Sequence, residues 1–314
     1  MIEGSWRLNG DAATASPMSG VAPEPGSAKP DPILSVSNMS RSFGGLKAVD
    51  VDHLEVQRGV ITALIGPNGA GKTTFFNLVS GFDTPDTGAW TFNGRSLAGM
   101  AAHNVARTGM VRTFQLTKAL ARLTVMENMK LGATGQRGES IWRALLPPVW
   151  REQDLQIEER ADALLERFNM AHMRDDFAGE LSGGQRKLLE MARALMSNPE
   201  MVLLDEPTAG VNPALKQSLL GHVREVLDDG TTVMFVEHDM DMVRDISDWV
   251  VVMGEGAIIA EGPHQSIGKN QTVIDAYLGS HHEQPLSFEE EEAQLAEADE
   301  ALDVTPTSRR QEPA

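Results

Sequence analysis

Two hydrophobic rhythms run along the chain. Leu34 and Val36 alternate with polar residues, as do Val49, Val51, Leu54 and Val56, a period near two that predicts half-buried strands. Residues 60–66, VITALIG, are instead continuously apolar, as expected of a strand covered on both faces. A loop, PNGAGK, follows, and then a predicted helix from about residue 73 to 80, closed by Gly81. Trp90 and Phe92 mark another alternating strand, ended by the hairpin signal Asn93-Gly94. From Leu116 to about Gly179 the rhythm is helical. Ile157, Ala161, Leu164, Leu165 and Phe168 fall at i, i+4, i+7, i+8 and i+11, the stripe of a helix packed on its neighbours. A further helix starts after Ser182, carries Leu188, Met191, Ala192 and Leu195, and stops at Asn198-Pro199. Apolar strands are predicted at residues 201–205 and 232–236, and a hairpin turns around Gly254-Glu255-Gly256. Strands alternating with helices around a glycine-rich loop define an α/β core with a largely parallel sheet.

Composition sharpens the boundaries. Residues 1–30 are rich in Ala, Pro, Gly and Ser and are expected to be disordered, because they offer too little apolar surface to offset ordering entropy. The body spans residues 31–280. Residues 281–314 form an acidic tail, with four glutamates in a row at 289–292, and are expected to be solvated and disordered. After Gly279 there are two arginines against ten carboxylates, a local charge of −8, leaving −10 of the formal −18 on the rest of the 314 residues. That balance argues against non-specific nucleic-acid binding, so no nucleic-acid partner is expected. The chain has no cysteine, which excludes disulfides and thiolate metal sites and fits a reducing compartment. No run approaches eighteen apolar residues and the start lacks a secretory pattern, so membrane attachment would need a partner.

Three segments carry the chemistry. GPNGAGKTT at 66–74 fits G-x-x-x-x-G-K-[ST]. Its backbone amides, from Gly66 through Asn68, Gly69, Ala70 and Gly71 to Thr74, can curl around phosphate oxygens at a helix N-terminus. Lys72 brings positive charge to the outer phosphates and the Thr73 hydroxyl can ligate magnesium. LLDE at 203–206 ends an apolar strand in two carboxylates. Asp205 is expected to hold magnesium and Glu206 to orient the attacking water or act as its base. His238 follows the apolar strand 232–236, a place beside the γ-phosphate. Gln115, in RTFQ, is expected to reach magnesium or the water. LSGGQ at 181–185 places Ser182, Gly183, Gly184 and Gln185 at a second helix N-terminus, a second anion site in a domain with one phosphate loop. The simplest occupant is the γ-phosphate held by a facing subunit, so that two domains head to tail sandwich two ATP molecules. Phe43, before Gly44-Gly45, either stacks on adenine or belongs to the core.

With these motifs in this order, the chain resembles the ATP-binding subunits of ABC transporters over roughly residues 33–279. The resemblance implies a P-loop ABC ATPase core with an antiparallel β subdomain and a helical subdomain at about 116–180 that docks on membrane partners. It makes 66–74 the Walker A loop, Gln115 the Q-loop glutamine, 181–185 the signature motif, Asp205 and Glu206 the end of Walker B, and His238 the switch histidine. ATP and Mg2+ are the implied cofactors. The implied partners are transmembrane permease subunits, a second ATP-binding subunit and, indirectly, an extracytoplasmic solute-binding protein. The implied location is the cytoplasmic face of the inner membrane.

Within the family, FGGLKAV, GPNGAGKTTFFNLVSGF, VRTFQ, LLDEPTAGVNP and DAYLG look like importers of branched-chain amino acids. Urea or amide import and lipopolysaccharide export use similar ATPases and stand as alternatives for the cargo. A non-transport ABC ATPase acting on DNA or ribosomes is the remote one, disfavoured by the acidic charge and by the absence of zinc cysteines or a second cassette. Two positions depart from the common family pattern. Phe43 stands where many members have tyrosine, and Asn212 where many have aspartate, so an aspartate's role across the dimer is not assigned to Asn212.

Overall fold

The two rhythms end in two different sheets. The computed structural model describes residues 17–113, 120–134 and 147–280. The alternating segments form β1 (Pro32–Phe43) and β2 (Leu46–Gln57), an antiparallel pair with Val36 opposite Leu54 and Met39 opposite Val51. β1 is paired on its other side with β4 (Thr87–Phe92), which turns through Asn93 and Gly94, both at positive φ, into the short β5 (Arg95–Ser96). This sheet has the order β2-β1-β4-β5.

The continuous apolar runs make the second sheet. It comprises β3 (Ile61–Ile65), β6 (Met110–Arg112), β7 (Met201–Asp205), β8 (Thr232–Val236), β9 (Trp249–Gly254) and β10 (Ala257–Gly262), ordered β10-β9-β3-β8-β7-β6. β10 runs antiparallel to β9, and the other neighbours are parallel. Successive side chains go to opposite faces. Ala63, Ile65, Val202, Leu204, Val233 and Phe235 enter one core. Leu64, Met201, Leu203, Met234 and Val236 enter the other. Burial on both faces is why these strands read as unbroken apolar runs.

α1 (Lys72–Val79) follows β3 and packs Phe75, Phe76, Leu78 and Val79 into the second core, under the antiparallel sheet. α2 (Ala102–Arg107) leads into β6. The helical region contains α3 (Val125–Lys130), started by a Thr124–Glu127 capping box, α4 (Pro147–Arg167) and a 3-10 turn at Ala171–Met173. The predicted stripe on α4 is inward: Ala161, Leu165 and Phe168 are buried, and Ile157 and Leu164 pack against them. These side chains share the first core with β3, β7 and β8, so the helical region is continuous with the sheet's packing. Next come α5 (Gly183–Leu195), α6 (Pro213–Asp228), α7 (Met240–Ile246), α8 (His264–Ile267) and α9 (Gln271–Ser280). The expected tail at 281–314 lies outside the described residues, as do residues 1–16.

The expectation of disorder through residue 30 fails for residues 17–30. Met18 is buried in the second core. The Lys29 ammonium pairs with Glu261 at 3.2 Å, both side chains all but inaccessible, and lies 4.9 Å from the centre of the Trp249 ring. Glu261 also accepts from the Ser27 amide at 2.7 Å and from the Trp249 indole at 3.1 Å. A segment poor in apolar surface is thus anchored by one methionine and a buried, hydrogen-bonded ion pair, which composition does not reveal. Removing one member of such a pair strands the other's charge in the core. Lys29→Ala is expected to cost about 3 kcal/mol of stability, read as a lower urea midpoint, and Lys29→Ala with Glu261→Gln less than Lys29→Ala alone.

Candidate functional site

The strand order brings the polar motifs together. β3, β8 and β7 are neighbours and parallel, so the loop after β3, His238 after β8 and Asp205-Glu206 at the end of β7 emerge at one sheet edge. Ligands of open α/β sheets bind at such carboxyl edges.

The loop after β3 is closely hemmed by backbone. A Cβ on Gly66 would stand 2.1 Å from the Met253 carbonyl oxygen, and one on Gly71 2.2 Å from that of Ala48. Both glycines have positive φ, at 149° and 97°. Only glycine permits both the curvature and the approach. Gly71 leads directly into α1, whose first amides have no side-chain cap and are exposed to whatever fills the loop. Lys72 folds back, donating to the carbonyls of Gly66 at 2.6 Å and Pro67 at 2.8 Å. Burial pushes its pKa down, and the nearby Glu206 and Asp205 carboxylates oppose that shift. Beside the loop opens a cleft of about 730 Å³, walled by Leu46, Ala48, Asn68, Gly254, Glu255 and Asp275 among others. Phe43 is half exposed, pairs across the turn with Leu46, and has the Arg41 guanidinium 4.8 Å from its ring centre. Of the two possibilities open for Phe43, core burial is thereby excluded.

Glu206 sits at φ 45°, a left-handed backbone that costs a non-glycine residue of order 1–3 kcal/mol. Its amide donates to Val236 at 3.0 Å and its carbonyl accepts from Lys187 at 2.6 Å. This kink turns the carboxylate towards His238, with Oε1 and Nδ1 3.9 Å apart; the imidazole remains largely exposed. Glu237, almost fully buried, holds the next turn by accepting from the Thr208 amide at 2.9 Å and its hydroxyl at 2.5 Å.

Asp205 is buried and ion-paired. Its Oδ2 receives Arg112 at 2.7 Å, both side chains 4% exposed. Arg112 also donates to Asn77 of α1 at 2.7 Å, and its guanidinium lies 5.6 Å from the centre of the Phe76 ring. The oxygen donors near the loop, the Thr73 hydroxyl and the Asp205 carboxylate, are of the hard kind magnesium takes, and a glycine cradle leaves space for phosphate oxygens. Those residues fit the ion. Gln115 lies outside the described residues.

The second helix start is only partly open. Ser182 and Gln185 form a reciprocal capping box at the head of α5, with amide-to-side-chain distances of 3.3 and 2.8 Å. Ser182 and Gly183 are exposed, with nothing near a Gly183 Cβ. Gly184 is buried, and its Cβ would strike Leu215 of α6 at 2.1 Å. Its smallness therefore also serves packing within the chain, beside its place at the helix N-terminus. Asn212 spends Oδ1 on capping α6 through the Leu215 amide at 2.9 Å.

Sequence reasoning missed Arg112, Lys187 and Glu237. The signal for Glu237 is present, a polar residue ending an apolar strand. Arg112 and Lys187 become conspicuous only when β6, α1, α5 and β7 meet.

This assembly is that of an ATP-binding cassette. The family described as ABC transporter matches residues 49–209, and the chain belongs to it: it is the ATP-binding, ATP-hydrolysing subunit of a transporter. It is 42% identical over 248 residues to the probable branched-chain amino acid transport ATP-binding protein LivG of Archaeoglobus fulgidus, covering 79% of this chain and 96% of the relative. It is 38% identical over 250 residues to the high-affinity branched-chain amino acid transport ATP-binding protein BraF of Pseudomonas aeruginosa, covering 79% and 98%. Among solved structures, a nucleotide-free ATP-binding cassette of an ABC transporter superposes with a TM-score of 0.69 at 37% identity, covering 78% of this chain and 98% of that one. The ADP conformation of an ABC transporter cassette gives 0.68 at 36%, covering 79% and 99%.

Arg112→Met is expected to destabilise the nucleotide-free protein by about 3–5 kcal/mol, because it leaves the Asp205 charge buried and unpaired. Arg112→Met with Asp205→Asn should recover much of that loss in urea unfolding.

Proposed function

We propose that this chain energises an importer of branched-chain or related amino acids, docked through transmembrane permease subunits on the cytoplasmic face of the membrane. The observation that carries the enzymatic part is the convergence of the phosphate loop, Asp205-Glu206 and His238 at the ends of the adjacent strands β3, β7 and β8. The cargo is supported by the names of relatives at 38–42% identity. No helix of the described residues is long and apolar enough to cross a membrane, which agrees with a need for permease partners.

In this reading the backbone amides of residues 66–74 bind the ATP phosphates, and Lys72 leaves its two carbonyl partners to meet the outer ones. The adenine enters the cleft beside Leu46, with Phe43 as a stacking surface at its edge. Magnesium, held by Thr73, Asp205 and Gln115, would neutralise phosphate charge as it does in related phosphoryl-transfer sites. Glu206 orients or deprotonates the attacking water, with its direction set by the backbone kink. His238 faces both Glu206 and the γ-phosphate. Ser182 and Gly183 meet the γ-phosphate held by a second ATP-binding subunit, head to tail, with Gln185 keeping that helix start in shape. An extracytoplasmic solute-binding protein supplies cargo to the permeases.

Two tests follow. Lys72→Ala should weaken ATP binding by a monomer, whereas Ser182→Arg should leave monomer binding intact and block nucleotide-dependent dimerisation in size-exclusion runs. Equal loss of monomer affinity in both would contradict the head-to-tail arrangement. Deleting the gene should reduce uptake of labelled leucine, isoleucine and valine while sparing urea uptake and outer-membrane integrity; the reverse pattern would replace the cargo and leave the ATPase standing.

A further inference from the structure

One contact joins the two ends of this machinery within a single chain. Lys187 lies on α5, four residues after the exposed Gly183, or about 6 Å along the helix. Its ammonium donates to the main-chain carbonyl of Glu206 at 2.6 Å. That carbonyl also accepts from the Ala209 amide at 3.2 Å, and the Glu206 amide donates to Val236 at 3.0 Å. The peptide units on either side of the φ 45° residue are thus held, one by β8 and the other by the helix that begins at the signature motif. A small cavity of about 20 Å³, walled by Glu190, Met191, Asp205 and Pro207 among others, adjoins the half-buried Lys187 side chain. Burial pushes the Lys187 pKa down, against the opposing pull of the Glu237, Glu206, Glu190 and Asp205 carboxylates.

We propose that Lys187 is a positioning residue for hydrolysis, holding the strained Glu206 backbone so that engagement of the α5 N-terminus by nucleotide on a facing subunit is passed to the water-orienting carboxylate of this chain's own site. A helix moves as a unit, and α5 carries Ser182 and Gly183 at one end of its first turns and Lys187 at the other. A shift of the head when it meets a phosphate therefore shifts the ammonium and the Glu206 carbonyl with it. The ammonium touches no nucleotide in this scheme. Its loss leaves ATP binding and closure in place and misdirects Glu206. The inference rests on the reading of Glu206 as the residue that orients water.

The test uses the purified full-length chain with Lys187→Met, Lys187→Arg and Glu206→Gln. Lys187→Met should lower kcat by roughly tenfold to a hundredfold, the range for a small misplacement of a reacting group. The KM for ATP should stay within about twofold, because ground-state contacts are untouched. Lys187→Arg, which keeps a donor and a charge, should recover most of kcat. Lys187→Met combined with Glu206→Gln should still form the ATP-dependent dimer to the extent that Glu206→Gln alone does. A Lys187→Met protein with unchanged kcat beside an inactive Glu206→Gln protein overturns the inference alone. So does a loss of kcat that Arg does not restore, accompanied by loss of the dimer and of thermal stability, since that is general damage to packing. An active Glu206→Gln protein removes the Glu206 reading and this inference with it.

Discussion

A sheet covered on both faces can offer polar chemistry only at its ends. In this protein the six-stranded sheet is so covered, with Ala63, Val202 and Val233 turned to one core and Leu64, Leu203 and Met234 to the other. The loop after β3, the carboxylates ending β7 and the histidine after β8 are side by side because those strands are side by side. The remaining elements either seal a face of this sheet or extend from that edge.

The antiparallel sheet does more than cover. Its β2 brings the Ala48 carbonyl within 2.2 Å of where a Gly71 Cβ would be, while β9 brings Met253 against Gly66. The Asp50 amide bonds to Gly256 and the Gly256 amide to Ala70, tying both sheets to the phosphate loop. The loop is therefore shaped from outside as much as by its own glycines. This rigidity suits backbone amides that must aim at phosphate oxygens without reorganising.

Charge inside the molecule is handled by pairing. Lys29 with Glu261 anchors the segment before β1, and Arg112 with Asp205 closes the end of β7 against α1. The first pair ties the segment before β1 to β10, and the second joins the neighbouring strands β6 and β7, with Arg112 reaching on to Asn77 of α1. The Arg112 pair has a further consequence. The carboxylate best placed for a cation already has one, on the strand that leads to Gln115, so any ion entering there competes with or shares an existing partner. Lys187 stands near the same end of β7 as Arg112, but is spent on a main-chain carbonyl instead of a carboxylate.

Much of this was readable from residue order. Unbroken apolar runs followed abruptly by GPNGAGK, DE and EH locate three buried strands and the chemistry at their ends, because burial on both faces leaves a signal no surface segment imitates. The alternating residues 33–56 and the hairpin at Asn93-Gly94 were legible for the same reason of period and turn chemistry. Other features had no such signal. The segment 17–30 reads as unstructured because its order depends on one methionine and on Glu261, more than two hundred residues away. The sequence places Gly184 at a helix N-terminus, but gives no sign that Leu215, thirty-one residues on, fills the space its side chain would occupy. Arg112 and Lys187 are ordinary basic residues in a short strand and a helix until packing sets the first against Asp205 and the second against Glu206. Local pattern determined the strands, the turns and the identity of the phosphate loop, since those depend on neighbours in the chain. The partners of isolated charges depend on which distant backbone and carboxylates are brought within reach, and tertiary structure alone decided them.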